Sequence, residues 1–125
     1  MNVSQPLVQA SLVGEAIDHG PVLVFVADEE LSYVAVNQRA CDVLGYSREE
    51  LLSLKVGDVS TAADGNGFAA LVTAPQETRS LRLRRKDGRE VTLDYVAAKT
   101  TIAGMPLVVT VGFVHAEPEP AGRAA

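Results

Sequence analysis

The sequence predicts an α+β domain, in which short helices pack on one face of a five-stranded antiparallel sheet and an amphipathic helix precedes the sheet. Two apolar, β-branched segments lie at residues 22–27 and 33–36, and three further strand patterns lie within 79–101 and 107–115. Between these groups the chain carries closely spaced helix caps instead of strand patterns. Because two strands alone do not form a stable sheet, we expect all five to join one sheet.

Length and composition indicate one ordinary globular domain. The chain has 125 residues, 47% hydrophobic and 22% charged, which is enough for a core without metal or disulfide. Its net charge of -5 argues against nucleic acid as a partner, since phosphate binding needs clustered positive charge. The single cysteine, Cys41, excludes an intramolecular disulfide. With no signal-peptide pattern and no apolar segment of membrane-spanning length, we expect a cytoplasmic protein without membrane contact.

Residues 1–20 are predicted to form an amphipathic N-terminal helix, with apolar spacing over 7–19 and an end at Gly20 and Pro21. Such a helix must cover its apolar stripe, either on its own domain or against the same helix of a second subunit. The residues leave both arrangements open. In the second, a homodimer, the predicted interface consists of Val8, Leu12, Val13, Ala16 and Ile17.

The strand patterns differ between the two halves of the domain. Residues 22–27 form a continuous apolar segment, which predicts a strand buried on both faces. Residues 79–101 alternate around the turn 86–89, which predicts a hairpin with one solvated face. Residues 117–125 cannot contribute to a core, so we expect a disordered tail after a domain at 21–116.

Residues 37–54 contain two helix starts and one helix stop. Asn37 is placed to cap a first short helix, and Gly45 to end it in the left-handed conformation. Ser47 and Glu50 have the spacing of a capping box for a second helix. A polar connection follows at 56–66. After it, a further short helix pattern around 68–72 ends before Pro75.

The combined pattern resembles the Per-Arnt-Sim (PAS) sensory domain family, which commonly carries N-x-A-x-x-x-x-G-Y-(S/T)-x-E-E-L after its second strand. The matching residues here are Asn37, Ala40, Gly45, Tyr46, Ser47, Glu49, Glu50 and Leu51. The alanine lies one residue further from the asparagine than in some members. The resemblance implies the order of neighbouring strands, dimerisation through the N-terminal helix, and a sensory or signal-relay function.

Motifs for catalysis and for cofactors are missing from the sequence. It contains no phosphate-binding loop, no zinc-protease motif and no paired cysteines, so we expect neither an enzyme nor a metal site. The resemblance would place haem on a histidine after the mid-domain loop, and a flavin or coumarate-type chromophore near a cysteine. Residues 68–78 contain no histidine, and Cys41 lies on the earlier helix. All three cofactors are therefore disfavoured, and Cys41 is expected to be a core residue.

An apolar pocket under the helices remains as the candidate site. We expect it to be lined by strand residues from 22–26, 81–95 and 108–113, with the 68–72 helix opposite. The selected candidates are Val24, Val26, Phe68, Leu71, Val72, Leu83, Leu93, Tyr95, Val109 and Val111. Because only 5% of the chain is aromatic, an aliphatic guest such as a fatty acid suits the pocket better than a flat cofactor.

Two functions follow from these expectations. The first is a dimeric sensor or signal-relay module with a small apolar ligand, acting on a separate output protein. The second is a structural interaction domain whose side chains fill the core themselves. The arginine-rich segment at 79–89 is explained in both cases as the solvated side of an edge hairpin.

Overall fold

The described part of the chain in a computed structural model, residues 5–60 and 79–115, contains four helices and five strands. The helices are α1 (Pro6–Asp18), α2 (Gln38–Leu44), α3 (Arg48–Leu52) and α4 (Val56–Val59). The strands are β1 (Leu23–Ala27), β2 (Tyr33–Val36), β3 (Arg79–Arg84), β4 (Glu90–Ile102) and β5 (Met105–Val114).

The five strands form one antiparallel sheet, as the sequence predicts, and their order in it is β2-β1-β5-β4-β3. The first hairpin adds to the last three strands through the pairing of β1 with β5. Phe25 lies opposite Thr110, and Thr110 lies opposite Ala97 on β4. Each strand therefore presents alternate residues to the same side of the sheet.

The core lies on one face of this sheet, which we call the inner face. Leu44 of α2, Leu51 of α3 and Val59 of α4 are fully buried in one cluster with Leu23 and Leu93 of the sheet. The expectation that residues 22–27 are buried on both faces is wrong. In β1 only alternate residues are buried, because the helices cover the inner face alone.

The caps at residues 37–54 form as predicted. The Asn37 side chain accepts a hydrogen bond from the backbone N–H of Ala40 at 3.1 Å, and Gly45 ends α2 with a φ of 82°. Ser47 Oγ accepts from Glu50 N at 3.1 Å, and Glu50 Oε1 accepts from Ser47 N at 2.8 Å. These caps set the angle at which α2 and α3 cross the inner face.

Two helices depart from expectation. Helix α1 forms at the predicted place, but none of its residues is buried. Helix α4 occupies a segment predicted to be a polar surface connection, because Asp58 accepts from Lys55 N at 2.8 Å and Val59 enters the core. The predicted helix at 68–72 and the predicted tail at 117–125 lie outside the described residues.

Candidate functional site

A small apolar cavity lies between the inner face of the sheet and α4. Its volume is about 20 Å³, room for about one water molecule. The surface that lines it is almost entirely apolar. The lining consists of Phe25, Ala27, Tyr33, Val56, Leu81, Leu83, Leu93, Val108 and Thr110. As it stands, the cavity suits a small aliphatic group.

Tyr33 is one of the two aromatic residues that line this cavity. Its ring packs against the other, Phe25, with centroids 5.5 Å apart and an interplanar angle of 36°. Burial, assisted by the nearby Asp58 carboxylate and Tyr46, raises the pKa of Tyr33 above its usual range. The hydroxyl therefore stays protonated at neutral pH and cannot act as a base.

Seven of the predicted pocket residues lie on strands, and they divide between the two faces of the sheet. Leu83 and Leu93 line the cavity, and Tyr95 is buried in the adjoining core on the same face. The other four strand candidates are Val24, Val26, Val109 and Val111. Phe68, Leu71 and Val72 lie outside the described residues.

The four valines, Val24, Val26, Val109 and Val111, are a correction to the predicted pocket. Val24 pairs with Val111 and Val26 with Val109, in register positions that alternate with the cavity residues Phe25 and Thr110. The valines therefore lie on the opposite side, the outer face. A shift of one residue exchanges the two faces of a strand, and both faces here are apolar, so alternation could not select between them.

Tyr33 and Val56 line the cavity but were not candidates from the sequence. Gly112 is the residue from which the core-facing side of β5 could have been predicted. A Cβ at Gly112 would lie 2.6 Å from the Asp94 carbonyl oxygen and 2.8 Å from Leu93 Cγ. A glycine at such a close approach shares the inner face with Thr110, two residues earlier on the strand.

A polar network joins α1 to the helices over the core. Asn37 Nδ2 donates to the carbonyl oxygens of Ile17 at 2.7 Å and Val22 at 2.8 Å, while Oδ1 accepts from Val24 N at 3.0 Å. Asp18 Oδ1 accepts from Gln38 N at 2.9 Å and from Arg48 Nη2 at 2.6 Å. The last turn of α1 is thus tied to the first residues of α2 and α3.

Cys41 lies buried in the core, as expected. Burial raises the pKa of the Cys41 thiol, although the neighbouring Arg48 guanidinium partly opposes this effect. The thiol is therefore protonated at neutral pH and poorly nucleophilic.

The arginine-rich hairpin is a mixed-charge surface. Arg82 lies 3.6 Å from Glu90, Arg85 lies 3.8 Å from Asp87, and a 2.6 Å ion pair joins Lys86 to Glu50 of α3. This interleaving dilutes the positive charge that a phosphate backbone would need. Both histidines, His19 and His115, are exposed, as expected for surface residues.

Within residues 5–60 and 79–115, no group of three His, Cys, Asp or Glu side chains is arranged to hold a metal ion. None of the helices in those same ranges has the length and apolar character needed to cross a bilayer.

Comparisons with known proteins agree with this geometry. The family model described as "PAS fold" matches residues 17–94. The sequence matches none of the curated proteins with which it was compared. The solved structures that it resembles include the PAS domain of an HTR-like protein from Haloarcula marismortui. That pair has a TM-score of 0.74 and 21% identity, over 87% of this chain and 94% of the other.

Two further structures resemble this chain. The PAS domain of a two-component sensor histidine kinase gives a TM-score of 0.74 at 18% identity, covering 89% of this chain and 100% of the other. A domain of a sensory box sensor histidine kinase/response regulator from Geobacter sulfurreducens gives 0.70 at 20% identity, covering 90% and 99%. Because the family model spans more than half of the sequence and the fold agrees, the chain belongs to the PAS family.

Proposed function

We propose that this chain is a sensor or signal-relay module that dimerises through α1 and takes a small apolar ligand against the inner face of its sheet. The observation that carries the proposal is the small apolar cavity on the inner face of the sheet. The names of two similar structures, both from sensor histidine kinases, support a signalling role. In this proposal the chain is not an enzyme, and a separate output protein receives the signal.

The volume of the cavity narrows the choice of ligand. At about 20 Å³ it is far smaller than the roughly 300–1,000 Å³ of pockets that enclose drug-sized ligands. A fatty acid would therefore need the surrounding side chains to move outward, and each methylene buried would contribute about 0.8 kcal/mol. Short aliphatic molecules are the first ligands to test.

Ligand binding is tested by thermal unfolding with a series of short and long fatty acids, and by mass spectrometry of the denatured protein for co-purified molecules. We expect a rise in Tm for at least one member of the series. Ala27→Leu would fill the cavity and abolish that rise, because Ala27 lines it. Ala35→Leu is the matched control, since Ala35 is exposed and pairs with Val26 on the outer face.

The small volume also favours a second candidate, a ligand-free interaction domain with a filled core. That candidate is correct if no fatty acid raises Tm and nothing co-purifies, and Ala27→Leu should then lower Tm more than Ala35→Leu because it overpacks a filled core.

Dimerisation is supported by the exposure of α1. Leu12 is 51% exposed, Val13 60% and Ile17 41%, although a helix with this composition usually lies against another surface. The five predicted interface residues spread over about half of the helix circumference. These residues are Val8, Leu12, Val13, Ala16 and Ile17. Of the five, Val8 is partly buried and the others are exposed.

Helix α1 alone is too small for a stable interface. Thirteen residues make a helix about 20 Å long and about 10 Å across, so half of its surface is roughly 300 Å² per copy. Stable interfaces bury about 1,200–2,000 Å² in total. The outer face can supply the difference, because Val96, Val111 and Phe113 on it are 38%, 39% and 57% exposed.

Sedimentation velocity tests the dimer. We expect the wild-type chain to be dimeric, and Leu12→Glu and Val13→Glu to be monomeric, because a charge would have to be buried. Ser11→Glu is the control, since Ser11 lies on the polar side of α1 and should leave the dimer intact. A monomeric wild type, or a dimer that survives both substitutions, would show that α1 is not the interface.

A further inference from the structure

Helix α1 is attached to the domain through polar contacts in its last turn, with none of its own residues buried. Three hydrogen bonds make this attachment, at 2.7 Å from Asn37 Nδ2 to Ile17 O, 2.9 Å from Gln38 N to Asp18 Oδ1, and 2.6 Å from Arg48 Nη2 to Asp18 Oδ1. No residue of α1 is fully buried, so these bonds contribute strongly to its orientation relative to the domain.

One oxygen atom of Asp18 connects two helices. Gln38 is the first residue of α2 and Arg48 the first residue of α3, and both donate to Asp18 Oδ1. If α3 moves relative to α2, the two donors move apart and the carboxylate cannot keep both bonds. The side chain of Asp18 is 33% exposed and that of Arg48 44%, so the contact can break and re-form in water.

Both helices rest on the core that contains the cavity. Leu44 of α2 and Leu51 of α3 are buried in the same cluster as Tyr33 and Leu93, which line the cavity. Close-packed interiors transmit displacements, so a change in the volume of this core displaces the helices that cover it. The first residues of α2 and α3 would then move with them.

We propose that the contact of Asp18 with Arg48 and Gln38 is the joint through which movements of α2 and α3 change the orientation of α1. This inference rests on the proposed function for its biological meaning, because α1 is the predicted dimer interface. Asp18 and Arg48 are positioning residues in it and contact no ligand. The joint itself is a property of the single chain, and it is measured without ligand.

Residual dipolar couplings test the joint in the ¹⁵N-labelled full chain that carries Leu12→Glu, because this substitution removes the proposed dimer contact and leaves α1 held by its own domain. In this background, α1 and the sheet should fit one alignment, with an order parameter near 0.85 for α1, as for a rigid backbone. In Asp18→Asn and Arg48→Met we expect the α1 value to fall below about 0.6, or α1 to fit only a different orientation.

Lys86→Met is the matched control. It removes the ion pair of Lys86 with Glu50, which also spans 2.6 Å and also attaches α3 to another element. This variant should keep the wild-type couplings in α1. Unchanged α1 couplings in both Asp18→Asn and Arg48→Met, or the same loss in Lys86→Met, would overturn the proposal.

A second measurement tests whether α1 responds to a change in the packing of α3 or is only attached to it. Leu51→Met alters the buried contact of α3 while nearly conserving its volume, which cores usually tolerate. We expect it to shift the amide resonances of Ile17 and Asp18 in the wild-type background and not in Arg48→Met. Equal shifts of the Ile17 and Asp18 resonances in both backgrounds would overturn the proposal that this contact is the joint. A monomeric chain without ligand would instead overturn the proposed function and leave the joint intact.

Discussion

Val24 lies directly opposite Val111 in the register of β1 and β5, and both side chains belong to the outer face of the sheet. Leu93, by contrast, is 1% exposed on the inner face, where it lines the cavity. The two faces are similar in composition but differ in burial, and substitutions on them should have very different consequences.

Val111→Thr should change the free energy of unfolding by less than about 0.5 kcal/mol, because Val111 is 39% exposed. Leu93→Ala should cost about 2–5 kcal/mol through lost burial and the cavity left behind. Urea unfolding at a concentration where the variants share one oligomeric state measures both. Equal costs for the two substitutions would contradict the assignment of Val111 to the outer face.

Asn37→Ala should destabilise the protein by about 3 kcal/mol or more. The side chain is 5% exposed and bonds the carbonyls of Ile17 and Val22 and the N–H groups of Val24 and Ala40. Its removal leaves one buried and three partly buried backbone groups without this partner, and a fully buried group without a partner costs about 1–3 kcal/mol.

Ser47→Ala is the comparison for Asn37→Ala. It removes an exposed cap and should cost about 1 kcal/mol. Chemical denaturation of both variants is the measurement. If Asn37→Ala cost no more than Ser47→Ala, water would be replacing the Asn37 bonds, and Asn37 would be an ordinary cap.

Gly112→Ala should destabilise the sheet by about 1–3 kcal/mol, because the new methyl group would meet the Asp94 backbone oxygen at 2.6 Å. Gly14→Ala is the matched control: nothing lies within 4 Å of its Cβ position, and alanine favours the helix by about 1 kcal/mol. Thermal unfolding measures the loss of stability in Gly112→Ala. Far-ultraviolet circular dichroism should show increased helicity in Gly14→Ala. A harmless Gly112→Ala would show that β5 can move away from Leu93.

Asp94 makes the stability of the fold depend on pH in the acid range. The hydrogen bond from Ser80 Oγ, followed by the contact with His115, holds the pKa of the Asp94 carboxyl below its usual value. A carboxyl with a lowered folded-state pKa adds stability above its unfolded value of about 3.9, and this stability is lost as pH falls through the folded value.

Asp94→Asn should therefore lower stability at pH 7, and its difference from wild type should fade below about pH 4. Unfolding midpoints measured from pH 7 to pH 2 test this expectation. Glu29→Gln, at an exposed position in the turn between β1 and β2, is the control and should follow the wild-type curve. A difference between Asp94→Asn and wild type that stays constant down to pH 2 would show that the carboxylate charge is not responsible.

Local sequence determined the elements of this protein and most of their ends. Asn37, Gly45 and Ser47 act within a few residues of themselves, so caps and turns could be predicted without knowledge of the fold. The strands followed in the same way from β-branched and alternating patterns. Helix α4 was missed because its cap from Asp58 is short-range but its stability depends on burying Val59 under the sheet.

Only the tertiary structure decided which strand residues face the cavity and what lies around α1. The segments of β1 and β5 are apolar at nearly every position, so either face could have been the inner one by pattern alone. The choice depends on where the helices pack and on the register of pairing between β1 and β5, which joins residues more than eighty positions apart. The same holds for Asp18 and Arg48, whose contact exists only because the fold brings the start of α3 beside the end of α1.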